Sequence, residues 1–143
     1  MLFSKQVFLR WADIDANYHV RHSVYYDFGA QHRIEILSES GLTLNMMQEQ
    51  HFGPVLFREE CVFKKEVRFD DTIFITTAIA GMKPDASRFK VRHLLSNEEK
   101  IFAVITVEGA WMDTQLRKLV NPVPQVVLDT LNAMPKTDDF ESI

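Results

Sequence analysis

The N-terminal third of the chain has the pattern of one strand followed by one long helix. In the segment VFLRW, residues 7–11, alternate side chains fall on one face, which predicts a first strand. After a polar segment, apolar residues recur at helical spacing from Ser23 to about Glu39. Ser23 is a residue type that caps helix N-termini, and Gly41 stands where a left-handed C-terminal cap is expected.

The buried face predicted for this helix contains a glycine. The face is formed by Tyr25, Phe28, Gly29, His32 and Ile36. A glycine inside a helix costs about 1 kcal/mol relative to alanine. We therefore expect Gly29 to permit a close approach of the helix to another part of the backbone. A second short helix is predicted over residues 44–49, before a turn at Gly53-Pro54.

The remainder of the chain has the two-residue period of strands. Four segments share this pattern: residues 61–69, 73–79, 89–95 and 101–112. Because the connections between them are short, they predict an antiparallel meander. Pro122 and Pro124 then open a C-terminal helix, and the polar tail from about residue 136 is expected to fray.

The order of these elements favours an α+β fold, in which a curved antiparallel sheet of about five strands wraps around the long helix. The 143 residues, 46% of them apolar, suit a single domain over residues 1–143. A net charge of -4 offers no basic surface for nucleic acid. The single cysteine and the lack of a segment long enough to span a bilayer are typical of a cytoplasmic protein.

The sequence lacks the common nucleotide and nucleophile motifs. Its glycines form neither GxGxxG nor a P-loop, there is no GxSxG elbow, and Cys61 lies within a predicted strand, as a core residue would. The segment DIDAN begins like a calcium loop, but Tyr18 stands where that loop needs glycine. Asp15, His19 and His22 have a spacing seen in metal sites, yet no HExxH motif or cysteine pair accompanies them. We therefore predict no metal and no cofactor.

Polar and aromatic residues are concentrated between residues 10 and 33. Asp13 and Asp15 lie just before the predicted helix, whose unpaired N-terminal amides and positive dipole end suit a developing oxyanion. A carboxylate at this place could attack an acyl carbon or activate water. Alternatively, both aspartates only organise the loop through Asx-type hydrogen bonds. The residues alone leave both interpretations open.

The segment RWADIDANYHVRHSVYYDF, residues 10–28, resembles the signature of hotdog-fold acyl-CoA thioesterases of the 4-hydroxybenzoyl-CoA thioesterase type. That family has the approximate pattern aromatic-x-D-x-D-x-x-G-H-V-N-N-x-x-Y. The matching residues here are Trp11, Asp13, Asp15, His19, Val20 and Tyr25. The segments FKKEVRFDD (63–71) and WMDTQLRKLVNPVP (111–124) are also similar to family segments, so the resemblance covers nearly the whole chain.

The resemblance implies an enzyme that hydrolyses the thioester bond of an acyl-CoA to the free acid and coenzyme A. It implies Asp15 as the catalytic carboxylate, either nucleophile or general base, and the backbone amide of His22 as the group that polarises the carbonyl. His19 is a further catalytic candidate. The residues implied in binding the substrate and its coenzyme A are Tyr25, Lys83, Ser87, Arg88, Lys64 and Lys65. Coenzyme A is part of the substrate, and the implied assembly is a homodimer or homotetramer with sites at the subunit interface.

Two departures from the family pattern leave other functions open. Tyr18 replaces the family's glycine, and Arg21-His22 replaces its two asparagines. These changes favour, as an alternative, a hotdog protein that binds acyl-CoA or another acyl ligand without turnover. A hydratase of the same fold is a third hypothesis, which the sequence favours less because the His-Asp pair of such enzymes is not evident in it.

Overall fold

A long helix lies against one face of a curved sheet in the computed structural model, which describes residues 2–143. The strands are β1 (Ser4–Val7), β2 (Phe52–Phe63), β3 (Ile73–Met82), β4 (Arg88–Ser96), β5 (Ile101–Asp113), β6 (Lys118–Leu119) and β7 (Lys136–Ser142). The helices are α1 (Tyr25–Glu39), α2 (Leu44–Glu49) and α3 (Gln125–Ala133). The predicted α+β class, with a sheet around one long helix, is confirmed.

The sheet has the strand order β1-β3-β4-β5-β2, with β6 added to β5 and β7 added to β3. The predicted meander is correct for β3, β4 and β5, which are consecutive antiparallel neighbours. It is wrong for β2, which pairs with β5 and not with β3, so that Phe63 lies opposite Ala103. The loop after β2 therefore crosses to the far side of the sheet, and β2 is left at an edge.

The segments on either side of α1 differ from the prediction. The first strand ends at Val7, and Trp11–Asp13 form a 3-10 turn. This turn forms because the Asp13 carboxylate accepts a hydrogen bond from the backbone N–H of Arg10 at 2.9 Å. Ser23 does not cap α1, because it lies inside a second 3-10 turn, His22–Val24, that leads into the helix. At the other end, Gly41 has the expected positive φ, at 98°.

Two later segments also form strands where none was predicted. Gly53 and Pro54 lie inside β2 and make no turn. A proline is tolerated there because β2 is an edge strand. The polar tail is ordered as β7, which pairs in parallel with β3. An ion pair of 2.8 Å between Arg92 and Asp139 holds β7 against the sheet, a contact that the tail's composition does not reveal.

Two apolar clusters fill the space beneath α1. One includes Val24, Tyr25, Val67, Leu95 and Phe102, and the other includes Ile36, Leu42, Phe52, Trp111 and Val127. Between them, each of α1, β3 and β4 contributes one fully buried polar residue: His32, Thr77 and His93. A thin polar layer therefore divides the core into two halves. No helix within residues 2–143 has the length and apolarity to cross a membrane.

Candidate active site

The loop between β1 and α1 is folded around the carboxylate of Asp15. Its Oδ1 atom accepts hydrogen bonds from the backbone N–H groups of Asn17, at 2.9 Å, and of His19, at 3.3 Å. The backbone N–H of Asp15 donates to the carbonyl of His19 at 2.8 Å. Asp15 thus makes the Asx-type bonds that the sequence left open as its loop-organising role. Within residues 2–143, its Oδ2 atom accepts no hydrogen bond and is available for other chemistry.

Tyr18 stands at the tip of this loop with a left-handed backbone. Its φ is 65°, a conformation that glycine adopts freely and that a bulky residue adopts at a cost. Tyr18 is 77% exposed, so its ring needs no space in the core. The loop therefore has glycine-type geometry even though a tyrosine replaces the glycine of the family pattern.

Arg21, the other departure from the family pattern, forms hydrogen bonds within the same loop. Its Nε donates to the carbonyl of Ala12 at 3.1 Å, and its guanidinium donates to the Ser23 hydroxyl at 2.6 Å. The backbone N–H of Arg21 also donates to the carbonyl of Asp13 at 2.8 Å. These bonds tie the beginning of the loop to the segment that enters α1.

The surroundings of Asp13 indicate a structural role. Its side chain is 2% exposed, and its Oδ1 lies 2.7 Å from the guanidinium of Arg10. Burial alone would raise the pKa of Asp13, but the hydrogen bonds from Arg10 and the charges of Arg10 and Arg21 outweigh it and hold that pKa below its usual value. Asp13 is thus a buried anion that fixes the loop.

A cleft of about 320 Å³ opens beside Asp15 at the start of α1. Its lining consists of Asp15, Asn17, His19, Val20, His22, Tyr25, Phe63, Lys64, Lys65 and Glu66. Six residues singled out from the sequence therefore meet around one opening. His22 begins the turn that continues into α1, where the first N–H groups have no acceptor within the helix.

Two residues of the cleft were missed by the sequence analysis. Glu66 lies 3.1 Å from Nε2 of His19, and the Phe63 ring packs edge-on against Tyr25 with 4.9 Å between centroids. Phe63 is the last residue of β2 and Glu66 follows it, so both are far from His19 and Tyr25 in sequence. Their place in the cleft depends on β2 pairing with β5, which the strand pattern did not predict.

The electrostatics of the cleft keep Tyr25 neutral. Burial, and then the neighbouring Cys61, Asp15 and Glu66, raise the pKa of Tyr25 to about 12. Its hydroxyl therefore remains a hydrogen-bond donor at neutral pH. Burial, followed by the charge of Glu59, raises the pKa of Cys61 to about 11, so this thiol stays protonated and unreactive.

Three of the residues implied in binding coenzyme A lie elsewhere. Lys83 and Ser87 belong to the turn between β3 and β4, and Arg88 is the first residue of β4. Arg88 is opposite Ala110 on β5, which in turn faces Val55 on β2. Because Val55 is eight residues before Phe63, this turn lies about 26 Å along the sheet from the cleft. The structure of one chain does not bring these residues to Asp15.

Metal-ligand geometry is lacking in the part of the chain that the structure describes. Between residues 2 and 143, no three His, Cys, Asp or Glu side chains are grouped as they would be around a metal ion. His19 is directed to Glu66, and the Asp15 carboxylate is bonded to its own loop.

Comparisons with known proteins agree with this architecture. The family model of the thioesterase-like superfamily matches residues 9–131. Among solved structures, a 1,4-dihydroxy-2-naphthoyl-CoA thioesterase from Synechocystis is similar, with a TM-score of 0.80 and 19% identity over 92% of this chain and 96% of that chain. A gentisyl-coenzyme A thioesterase has a TM-score of 0.76 and 22% identity over 90% of this chain and 98% of its own.

A third solved structure was determined in complex with CoA. This Staphylococcus aureus protein has a TM-score of 0.84 and 15% identity, and the similarity covers 94% of this chain and 87% of that chain. A comparison with curated proteins finds no match. At these sequence identities, the structural similarity establishes the hotdog fold alone. The family model, by contrast, matches most of the chain and therefore shows the family. The protein therefore belongs to the thioesterase-like superfamily.

Proposed function

We propose that this protein is an acyl-CoA thioesterase, which hydrolyses the thioester of an acyl-CoA to the free acid and coenzyme A. The observation that carries the proposal is the position of Asp15. One of its carboxylate oxygens is fixed by two backbone amides, and the side chain lines a cleft at the start of α1. A positioned carboxylate beside unpaired helix amides suits attack on an acyl carbon.

In the proposed reaction, the thioester carbonyl lies between Asp15 and the backbone amide of His22. The amide, together with the positive end of α1, stabilises the negative charge that develops on the carbonyl oxygen. Asp15 either attacks the carbonyl carbon directly, giving an anhydride that water then hydrolyses, or takes a proton from the attacking water. In both routes the thiolate of coenzyme A leaves and takes up a proton.

Other residues of the cleft have supporting roles in this proposal. Lys64 and Lys65 lie at the cleft and suit the phosphates of coenzyme A, whereas the neutral Tyr25 hydroxyl is a donor for the substrate. His19 is paired with Glu66 and is the second candidate for proton transfer.

We further propose that two copies of the chain associate through β2, as a homodimer or as part of a homotetramer. β2 lies at a sheet edge, and Phe57, Val62 and Phe63 on it are 53%, 43% and 53% exposed. An unpaired edge with exposed apolar residues needs to be covered. Antiparallel pairing about a two-fold axis would bring the partner's β3–β4 turn toward this cleft. Lys83, Ser87 and Arg88 would then reach the coenzyme A of the neighbouring site.

The experiment that tests this function is a panel of short-chain, long-chain and aryl acyl-CoAs, with release of free thiol as the readout. Thiol release that depends on protein concentration supports a thioesterase. Stabilisation by acyl-CoA without thiol release would instead support the alternative function, binding without turnover. The Asp15→Asn variant is the matched control, because it separates turnover at this cleft from background hydrolysis.

A further inference from the structure

A second cavity, of about 270 Å³, lies further along α1, on the other side of the polar layer from the candidate active site. Its apolar walls include Leu37, Leu56, Phe89, Val91, Leu131 and Met134. Arg33 is the single charged residue among the described residues that line it. Among residues 2–143, no residue that lines this cavity also lines the cleft at Asp15. Within one chain, the cavity is therefore distinct from the cleft of the proposed hydrolysis.

The guanidinium of Arg33 is largely buried, and its ion-pair partner among the described residues, Glu59, is loosely placed. The side chain is 17% exposed, and the nearest carboxylate oxygen, on Glu59, lies 3.8 Å from it, beyond hydrogen-bond distance. Burial lowers the pKa of Arg33, although it remains a cation at any ordinary pH. A buried charge is costly unless it is both paired and hydrogen-bonded, and at 3.8 Å the pair with Glu59 includes no hydrogen bond. Arg33 thus has hydrogen-bond donors and a charge to offer to an anion.

A chain of buried hydrogen bonds holds Arg33 in place and fixes the proton positions. Arg33 only donates, so Nε2 of His93, at 2.9 Å, must accept. The proton of neutral His93 is then on Nδ1 and is donated to the Thr77 hydroxyl at 2.6 Å. Thr77 in turn donates to Nδ1 of His32 at 2.6 Å, and Nε2 of His32 donates to the carbonyl of Leu2 at 2.9 Å. Burial lowers the pKa of both histidines, in keeping with neutral rings.

A glycine in α1, Gly29, provides the space for this arrangement. A Cβ atom on Gly29 would lie 3.2 Å from the Arg33 guanidinium and 3.0 Å from the His93 ring. The glycine that weakens α1 therefore leaves the space in which Arg33 and His93 meet. The cation is positioned before any ligand arrives, which reduces the entropy cost of binding.

We infer that this cavity binds a monocarboxylic acid with an apolar body. The carboxylate accepts hydrogen bonds from Arg33 and the hydrocarbon part fills the apolar walls. Arginine is suited to a carboxylate because its planar fork donates two parallel hydrogen bonds. Glu59, which is 30% exposed on the edge strand β2, carries the negative charge that opposes an anion at Arg33. Binding at this site does not depend on Asp15 or on turnover.

The test uses octanoate as the probe, with octanol and octylamine as uncharged and cationic analogues of the same chain length. Octanoate should raise the melting temperature in a saturable way, in the wild type and in the Asp15→Asn variant alike. The two analogues should give a much smaller shift. A shift that is equal for all three, or that is lost in the Asp15→Asn variant, would overturn the inference.

Two substitutions with opposite effects assign the binding to Arg33. The Arg33→Met variant keeps most of the side-chain volume and should bind octanoate roughly tenfold or more weakly, since a hydrogen-bonded charge is lost. The Glu59→Gln variant removes the opposing carboxylate and should bind octanoate more tightly. Unchanged affinity in both variants would show that Arg33 is not the anion site.

A further pair of variants covers the case in which Arg33→Met does not fold. Ala30→Leu adds bulk at an exposed helix position that lines the cavity, and it should weaken octanoate binding. Gln31→Leu, the next residue, does not line the cavity and serves as the matched control. If a second copy of the chain fills the cavity, the melting temperature will rise with protein concentration and not with octanoate, which also overturns the inference.

Discussion

The imidazole ring of His93 lies directly against α1 at Gly29, where a Cβ atom would be 3.0 Å from Cδ2 of the ring. The sequence predicted a close approach at this glycine, but to another stretch of backbone. The neighbours are the side chains of His93 and Arg33. The polar layer that crosses the core therefore explains why α1 contains a glycine at position 29.

The first prediction concerns this contact. The Gly29→Leu variant should be destabilised by about 1–3 kcal/mol, because the added side chain must displace the His93 ring or the Arg33 guanidinium. Urea denaturation of both proteins measures the difference. Ala30→Leu, at the exposed neighbouring position, is the control and should remain close to the wild type. Equal stability of Gly29→Leu and the wild type would contradict the close contact.

The polar layer also predicts how stability depends on pH. Burial lowers the pKa of His32 and of His93 below the ordinary value of 6.5. The unfolded chain therefore takes up protons near pH 6.5 that the folded chain does not. The charged groups that face them are Arg33 beside His93, and Lys5 and Glu35 beside His32. Arg33 adds to the cost of protonating His93, and the pair Lys5 and Glu35 acts on His32 in opposite directions.

The second prediction follows from the sign of these shifts. The free energy of unfolding should fall as the pH is lowered through a window that begins near pH 6.5, because the unfolded state gains protons that the folded state does not. Carboxylates with lowered pKa values, such as Asp13, lose their contribution only at lower pH. The His93→Gln variant should show a shallower loss over this window. Parallel pH profiles for the two proteins would contradict the assignment to His93.

The sequence predicted local structure better than strand partners, and the reason is physical. The long helix and the short helix over residues 44–49 follow from apolar spacing, which acts over a few residues, although Ser23 does not cap the long helix. The pairing of β2 with β5 depends on contacts between residues far apart in sequence, for which alternation has no signal. β7 was missed for the same reason, since the ion pair from Arg92 to Asp139 compensates its polar composition.

The candidate site shows the same difference between local structure, which the sequence predicts, and contacts between distant residues, which it does not. Asp15 and His19 lie in one loop, so a motif of neighbouring residues placed them together. Glu66 and Phe63 reach the cleft only through the tertiary arrangement of β2. The sequence pattern around a surface lysine does not identify the ligand that it binds, so Lys83 and, after it, Lys64 were both candidates for binding coenzyme A. Within one chain, the structure places Lys64 at the cleft and Lys83 at the opposite end of the sheet.

The third prediction concerns the exposed edge at β2. The protein should sediment as a dimer or tetramer at low micromolar concentration, because Phe57 and Val62 on that edge are apolar and exposed. The double variant Phe57→Lys and Val62→Lys should shift it toward the monomer through like-charge repulsion across the two-fold axis. Leu116→Lys, at a 65% exposed residue outside β2, is the control and should keep the assembly. A wild-type monomer with full activity would refute the proposed interface.

The fourth prediction concerns Asp15. The Asp15→Asn variant retains a side-chain oxygen that can accept the hydrogen bonds from Asn17 and His19, so the loop should stay folded. It loses the negative charge needed for attack or for proton abstraction. Thiol release from acyl-CoA should fall at least ~100-fold, while acyl-CoA binding persists.

Two control variants separate chemistry at Asp15 from the stability of its loop. Asp13→Asn removes the buried charge that pairs with Arg10, so it should lower the melting temperature but reduce turnover per folded molecule less than Asp15→Asn does. His22→Ala keeps the backbone amide and should retain appreciable turnover, whereas a side-chain role would make its loss severe. Wild-type hydrolysis by Asp15→Asn would contradict the mechanism. The pair of His19 and Glu66, whose Nε2 and carboxylate oxygen are 3.1 Å apart in the same cleft, would then be the next group to test.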